Sequence, residues 1–187
     1  MKNILFINGC VRDDNSRTLK VANSYIETLK NKETFHLIER NLSNEDIHFL
    51  SNKSFDSKTG EISSSNVFFA KEFADADEII LAAPFWEFLF PAIVSCYFEM
   101  VSIPGITFKY TENGSAGLCK AKSFTYIYTS GDYLSEDDKI CEKYISRLSK
   151  LYGISEFSTI SAEGLDIDTN CADSIINEIC NKLKNNK

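Results

Sequence analysis

Between Pro84 and Pro91 the chain reads Phe85-Trp86-Glu87-Phe88-Leu89-Phe90, three phenylalanines and the only tryptophan fenced by two prolines. Pockets for flat organic molecules are mostly apolar and aromatic, with a few polar groups to orient the guest. A second segment, Gly9 to Thr18, offers different chemistry. It passes through Arg12 and Asn15 to the hydroxyls of Ser16 and Thr18, with Arg17 between them. If Ser16 caps a helix, the free N–H groups and the dipole of that helix start favour an anion such as a terminal phosphomonoester. Taken by itself, the same segment also describes an ordinary capped helix with surface arginines. A third segment, Thr129-Ser130-Gly131-Asp132, ends an apolar run with a glycine and an acid.

Other chemistries find little support. Gly-x-Gly-x-x-Gly and Gly-x-x-x-x-Gly-Lys-Ser/Thr are both absent, which demotes a classical NAD domain and a nucleotide hydrolase. His36 and His48 fall in no metal-ligand spacing, and the six cysteines at 10, 96, 119, 141, 171 and 180 include no Cys-x-x-Cys. Reduced thiols are therefore expected rather than disulfides or a zinc site. A net charge of −7 argues against nucleic acid, whose binding rests on basic side chains neutralising phosphates. No apolar run is long enough to span a bilayer, and Lys2 leads straight into Ile4-Leu-Phe-Ile without a cleavage signature. A cytoplasmic protein with no membrane partner is expected.

Positioning these segments requires a scaffold, and the hydrophobic pattern supplies one. Glu78 to Ala83 is a short apolar run that suits a strand buried on both faces, and Pro84 cannot donate to a sheet ladder, so the strand should stop there. Lys2–Asn8, Phe35–Glu39, Ser123–Thr129 and Glu156–Ser161 read as further strands, with Phe35–Glu39 towards an edge. Apolar positions at Leu19, Ala22, Ile26 and Leu29 predict a helix after Ser16. Helices are likewise predicted over Val67–Ala74, with Phe69 and Phe73 one turn apart, and from about Pro91, in the first turn, to Ser102. Ile140, Tyr144, Leu148 and Leu151 make another helical stripe. The last helix, capped near Asp168 or Thr169, turns Ala172, Ile175, Ile179 and Leu183 inward. Asn41–Ser65 has little periodicity and suits a lid or a surface excursion, and Pro104–Lys122 reads as an irregular connection.

Strand and helix thus alternate five times. That pattern predicts an α/β protein, residues 1–187 as one domain, whose five-stranded parallel sheet runs in the order 2-1-3-4-5 with helices on both faces. The order switches between the first and third strands, and ligands of such sheets bind at the carboxyl ends of the strands there. The loops Gly9–Thr18, Pro84–Phe90 and Thr129–Tyr133 converge on that edge. A phosphate beside strand one and a flat ring beside strand three describe a flavin mononucleotide.

Ile4-Leu-Phe-Ile-Asn-Gly-Cys-Val-Arg-Asp-Asp-Asn-Ser-Arg-Thr-Leu resembles the opening of the flavodoxin-like NAD(P)H oxidoreductases that include quinone reductases, FMN reductases and FMN-dependent NADH azoreductases. Pro84-Phe-Trp-Glu-Phe-Leu-Phe-Pro is similar to that family's Pro-x-Tyr/Trp-Asn-Phe-x-x-Pro, and Gly105-Ile-Thr-Phe-Lys-Tyr to its Gly-x-Thr-Phe-x-Tyr. Thr129-Ser-Gly-Asp stands where the family carries Ser/Thr-Arg-Gly-Gly. The resemblance implies a three-layer flavodoxin-like fold that binds FMN. It further implies a homodimer using NADH or NADPH to reduce a quinone, an azo compound or a related small acceptor. It places Cys10, Arg12, Asn15 and Ser16 at the phosphate and Pro84, Phe85, Trp86, Glu87 and Phe88 along the flavin ring. Thr129, Ser130, Gly131 and Asp132 fall at the ring's far edge. No catalytic side chain is assigned, because the cofactor carries the chemistry. The departures are Cys10 for a serine, a shortened loop before Ser16, Glu87 for an asparagine and Asp132 for a glycine. A flavodoxin-type electron carrier and a cofactor-free binding protein of the same fold are the alternatives.

Overall fold

Asn8, Ala82 and Ile127 are neighbours across three adjacent parallel strands, which fixes where the loops that follow them emerge. In this computed structural model, which describes residues 1–12, 15–51 and 62–185, the strands are β1 (Lys2–Asn8), β2 (Phe35–Asn41), β3 (Glu78–Ala82), β6 (Ser123–Thr129) and β7 (Glu156–Ala162). They form one sheet in the order β2-β1-β3-β6-β7. Leaving aside a separate hairpin, β4 (Phe108–Thr111) and β5 (Gly114–Gly117), this is the 2-1-3-4-5 order predicted above.

Side chains alternate across each strand, and the two faces accordingly feed two cores. Leu5, Ile7, Ile79, Leu81, Phe124 and Tyr126 pack with α2 (Ser64–Asp75), α3 (Ala92–Val101) and α4 (Ile140–Tyr152). Ile4, Phe6, Ile80, Ala82 and Ile127 face α1 (Arg17–Lys30) and α5 (Ala172–Asn185). The three layers follow from this division. All five residues of β3 are buried, as expected of a central strand covered on both faces.

Several expectations need correction. Pro104–Lys122 is not irregular, because it contains the β4–β5 hairpin, and Gly117 brings that hairpin against the end of α4. The stripe on α4 is displaced by one residue. Cys141, Ile145, Ser149 and Tyr152 are buried, Leu148 and Leu151 are partly buried, and Ile140 and Tyr144 are exposed. On α5 the buried line is Ala172, Ile176 and Cys180, flanked by partly buried Ile175, Ile179 and Leu183. Pro91 is the N-cap of α3 rather than part of its first turn. Of the segment expected as a lid or a surface excursion, Leu42–Asn44 is a turn of 3-10 helix, and residues 52–61 lie outside the described residues.

Candidate cofactor cleft

The first loop begins with Gly9, whose N–H donates to Ala82 O at 2.8 Å, extending the sheet ladder past the strand end. A Cβ at position 9 would lie 2.5 Å from Val94 Cγ2, so this glycine lets the loop pass close to α3. Its role is packing, which accounts for one glycine where a dinucleotide fingerprint has three. Ser16 caps α1, its Oγ accepting from Leu19 N–H at 3.2 Å. One turn of helix therefore opens at the carboxyl edge of the sheet with Ser16, Arg17 and Thr18 at its start. Thr18 Oγ1 lies 2.6 Å from Thr129 Oγ1, a buried hydroxyl pair that ties the helix start to the end of β6.

The segment after β3 is a tight hairpin. Trp86 and Leu89 exchange backbone hydrogen bonds of 2.6 and 2.8 Å, and the two residues between them, Glu87 and Phe88, have φ of 51° and 66°. Two central residues with positive φ describe a type I′ turn, which ordinarily favours asparagine and glycine. Phe85 N–H donates to Thr129 O at 2.9 Å, so the aromatic segment and the loop after β6 are joined. Phe90 is buried in the core, whereas Trp86 and Phe88 are exposed, so only part of the aromatic run faces outward.

These loops enclose a cleft of about 1010 Å³. Its walls include Arg12, Asn15, Ser16, Arg17 and Thr18 on one side and Pro84, Phe85, Trp86, Glu87, Leu89 and Phe90 on the other, with Thr129, Ser130 and Gly131 between. Three sequence-assigned residues lie elsewhere. Cys10 is 1 % exposed beneath the first loop; its thiol donates to Ala82 O at 3.6 Å, and burial pushes its pKa up to about 11. Phe88 and Asp132 line a smaller cavity with Tyr133, Leu134 and Asp138, which adjoins the cleft and shares Phe85, Glu87 and Gly131 with it. The cause is geometric: the I′ turn swings Phe88 to the hairpin's far side, where its ring meets Phe85 at 6.3 Å.

Sequence reasoning did not find the fourth contributor, the turn after β7. Leu165 N–H donates to Ser130 O and Asp166 N–H to Gly131 O, which brings both residues to the cleft wall. Asp166 Oδ1 accepts from Arg17 Nη1 at 2.8 Å. Ser95, on α3, also lines the cleft. None of the three lies in a motif; the strand order places Leu165 and Asp166, and α3 places Ser95.

The donor set fits a phosphorylated flat ring. A capped helix start with hydroxyls and arginines meets the needs of a phosphate, and an aromatic wall of Phe85, Trp86 and Phe90 meets those of a ring. A family profile described as flavodoxin-like fold matches residues 2–185.

The chain belongs to the flavodoxin-like fold family.

Within this flavodoxin-like family, an FMN-dependent NADH:quinone oxidoreductase of Clostridium acetobutylicum is 34% identical over 98% of this chain and 97% of its own length. A Clostridium perfringens protein of the same description is 35% identical over 89% of this chain and 88% of its own length. Among solved structures, an azoreductase from Bacillus anthracis superposes with a TM-score of 0.84 at 21% identity, covering 98% of this chain and 97% of its own. An FMN-dependent NADH-azoreductase from Bacillus anthracis, in complex with FMN, gives 0.80 at 21% identity, covering 98% of each chain. At that identity the superpositions establish the fold.

Proposed function

We propose that this protein is an FMN-dependent NADH:quinone oxidoreductase that also accepts azo compounds. One observation carries the reading: the start of α1 and the Pro84–Pro91 segment, remote in sequence, wall the same cleft at the switch point of the sheet. The descriptions of the relatives agree with it.

When bound, FMN would supply two-electron chemistry, accepting hydride from a nicotinamide and returning it to an acceptor. The chain's own work is placement. Asn15, Ser16 and Arg17 would hold the phosphate at the helix start, and the Thr18–Thr129 hydroxyl pair fixes that start against the sheet. Pro84, Phe85, Trp86 and Glu87 would flank the ring, with Ser130 and Gly131 at its polar edge. Ser130 Oγ donates to Asp132 O at 2.7 Å, which holds that loop in shape.

The chain would act as a single domain. A homodimer is supported by exposed Trp86, Phe88, Leu89, Tyr133, Ile140 and Tyr144, most of them flanking the two cavities. Exposed apolar groups gathered at a site commonly mark an interface. A cytoplasmic setting agrees with six free cysteines, and a net charge of −7 disfavours nucleic-acid partners. No helix of the described residues is long and apolar enough to cross a membrane.

Titration with FMN tests the reading. Quenched flavin fluorescence and a raised melting temperature are expected, together with NADH oxidation that depends on added quinone. Protein that neither quenches FMN nor gains stability from it would be a cofactor-free binding module of the same fold.

A further inference from the structure

The phosphate-suited end of the cleft contains an ion pair. Arg17 Nη1 and Asp166 Oδ1 are 2.8 Å apart, joining the first turn of α1 to the turn after β7, and both residues line the cleft. Asp166 is seated rather than free. Its N–H donates to Gly131 O at 2.9 Å, the preceding Leu165 N–H donates to Ser130 O at 3.1 Å, and a Cβ on Gly131 would come within 2.6 Å of Asp166 Oδ2. The other cation among the described residues of the cleft wall, Arg12, lies over the indole across the cleft, its guanidinium carbon 5.2 Å from the Trp86 ring centroid. Against these two arginines stand two carboxylates, Glu87 and Asp166, so the described lining carries no excess positive charge.

We propose that Asp166 sets the ligand preference of this cleft: fixed against Gly131, it neutralises Arg17 and lowers the selectivity for a phosphorylated flavin over an unphosphorylated one. The inference rests on the reading of the cleft as an FMN site. An anion arriving at the start of α1 gains from the helix dipole and the capping hydroxyls. It must also share Arg17 with a carboxylate already in place, and it is repelled by that carboxylate. The side chains of Arg17 and Asp166 are 40% and 64% exposed, so water and salt screen the effect and keep it modest.

The test is a fluorescence titration of the full-length apoprotein with FMN and with riboflavin, in low and high salt, for wild type and Asp166→Asn. Asp166→Asn is expected to tighten FMN about two- to fivefold, the scale of an exposed ion pair. Riboflavin affinity should stay where it was, and the FMN gain should shrink in high salt. Arg17→Gln should weaken FMN more strongly in the Asp166→Asn background, where the guanidinium is released for the ligand, than in wild type. Asp166→Ser provides a second way of removing the charge and should behave in the same direction. Unchanged or weaker FMN binding in both Asp166 variants overturns the proposal, as does an equal shift for the two flavins. Wild-type protein that binds neither flavin overturns the reading of the cleft, and the role of Asp166 with it.

Discussion

Arg12 lies over the indole of Trp86, 5.2 Å from guanidinium carbon to ring centroid, so the loop after β1 reaches across the cleft to the hairpin after β3. At an exposed site such a contact contributes about 0.5–1 kcal/mol. It links the segment suited to a phosphate with the segment suited to a ring.

Trp86→Ala removes both the aromatic wall and the platform for Arg12. FMN affinity should fall about tenfold, equivalent to roughly 1.4 kcal/mol. Trp86 is 38% exposed, so the fold should lose no more than about 0.5 kcal/mol. Flavin fluorescence titration and thermal melting of the same samples separate the two effects.

Glu87 occupies a left-handed conformation, with φ of 51°. Asparagine tolerates that region better than glutamate does. Glu87→Asn should therefore stabilise the protein by about 0.5–1 kcal/mol, seen as a melting temperature higher by about 1–4 °C. An unchanged or lower melting temperature would contradict the turn geometry.

Two glycines offer a contrast. A Cβ on Gly117 would lie 2.0 Å from Tyr152 C and Gly153 N, backbone atoms that cannot move independently. Gly117→Ala should destabilise by about 3 kcal/mol or more and loosen the β4–β5 hairpin. At Gly131 the obstacle is the Asp166 side chain, its Oδ2 at 2.6 Å and its Cβ and Cγ at 3.3 Å, so a methyl there meets side-chain atoms rather than backbone. Gly131→Ala should cost less stability, and urea unfolding of the two variants measures the difference.

The five-strand sheet was legible because apolar runs were punctuated by Pro84, Gly9 and Gly131, each at a strand end. The hairpin was not. Lys109, Tyr110, Thr111, Glu112 and Asn113 are all exposed, so no alternation marks its strands. The α4 stripe was misplaced because its buried line runs through Cys141 and Ser149, small side chains that carry little hydrophobic signal, while Ile140 and Tyr144 face outward. Within the cleft, Arg12, Ser16 and the Pro84–Glu87 segment were found from residue type and loop position. Asp166 could be found only from the strand order, since its backbone bond to Gly131 brings it there. Phe88 and Asp132 were placed at the ring by the family resemblance; the two-residue turn at Glu87 and Phe88, which no motif announces, carries Phe88 towards the smaller cavity that Asp132 also lines.

Burial raises the pKa of Cys10 and Cys141 to about 11 and of Cys119 to about 12, from 9.0. Above pH 9 the unfolded chain releases protons that the folded chain retains, so stability should decline as pH rises from about 9 to about 12. Urea midpoints across that range check the sign, and Cys10→Ala should lessen the decline. At neutral pH a thiol reagent should modify exposed Cys171 while leaving Cys10 unmodified in the folded protein.

Anaerobic mixing tests the central claim most directly. FMN-loaded protein should lose its yellow absorbance when one equivalent of NADH is added and recover it when one equivalent of quinone follows. A flavin that stays yellow in the presence of NADH would contradict the account and leave an electron carrier or a binding module in its place.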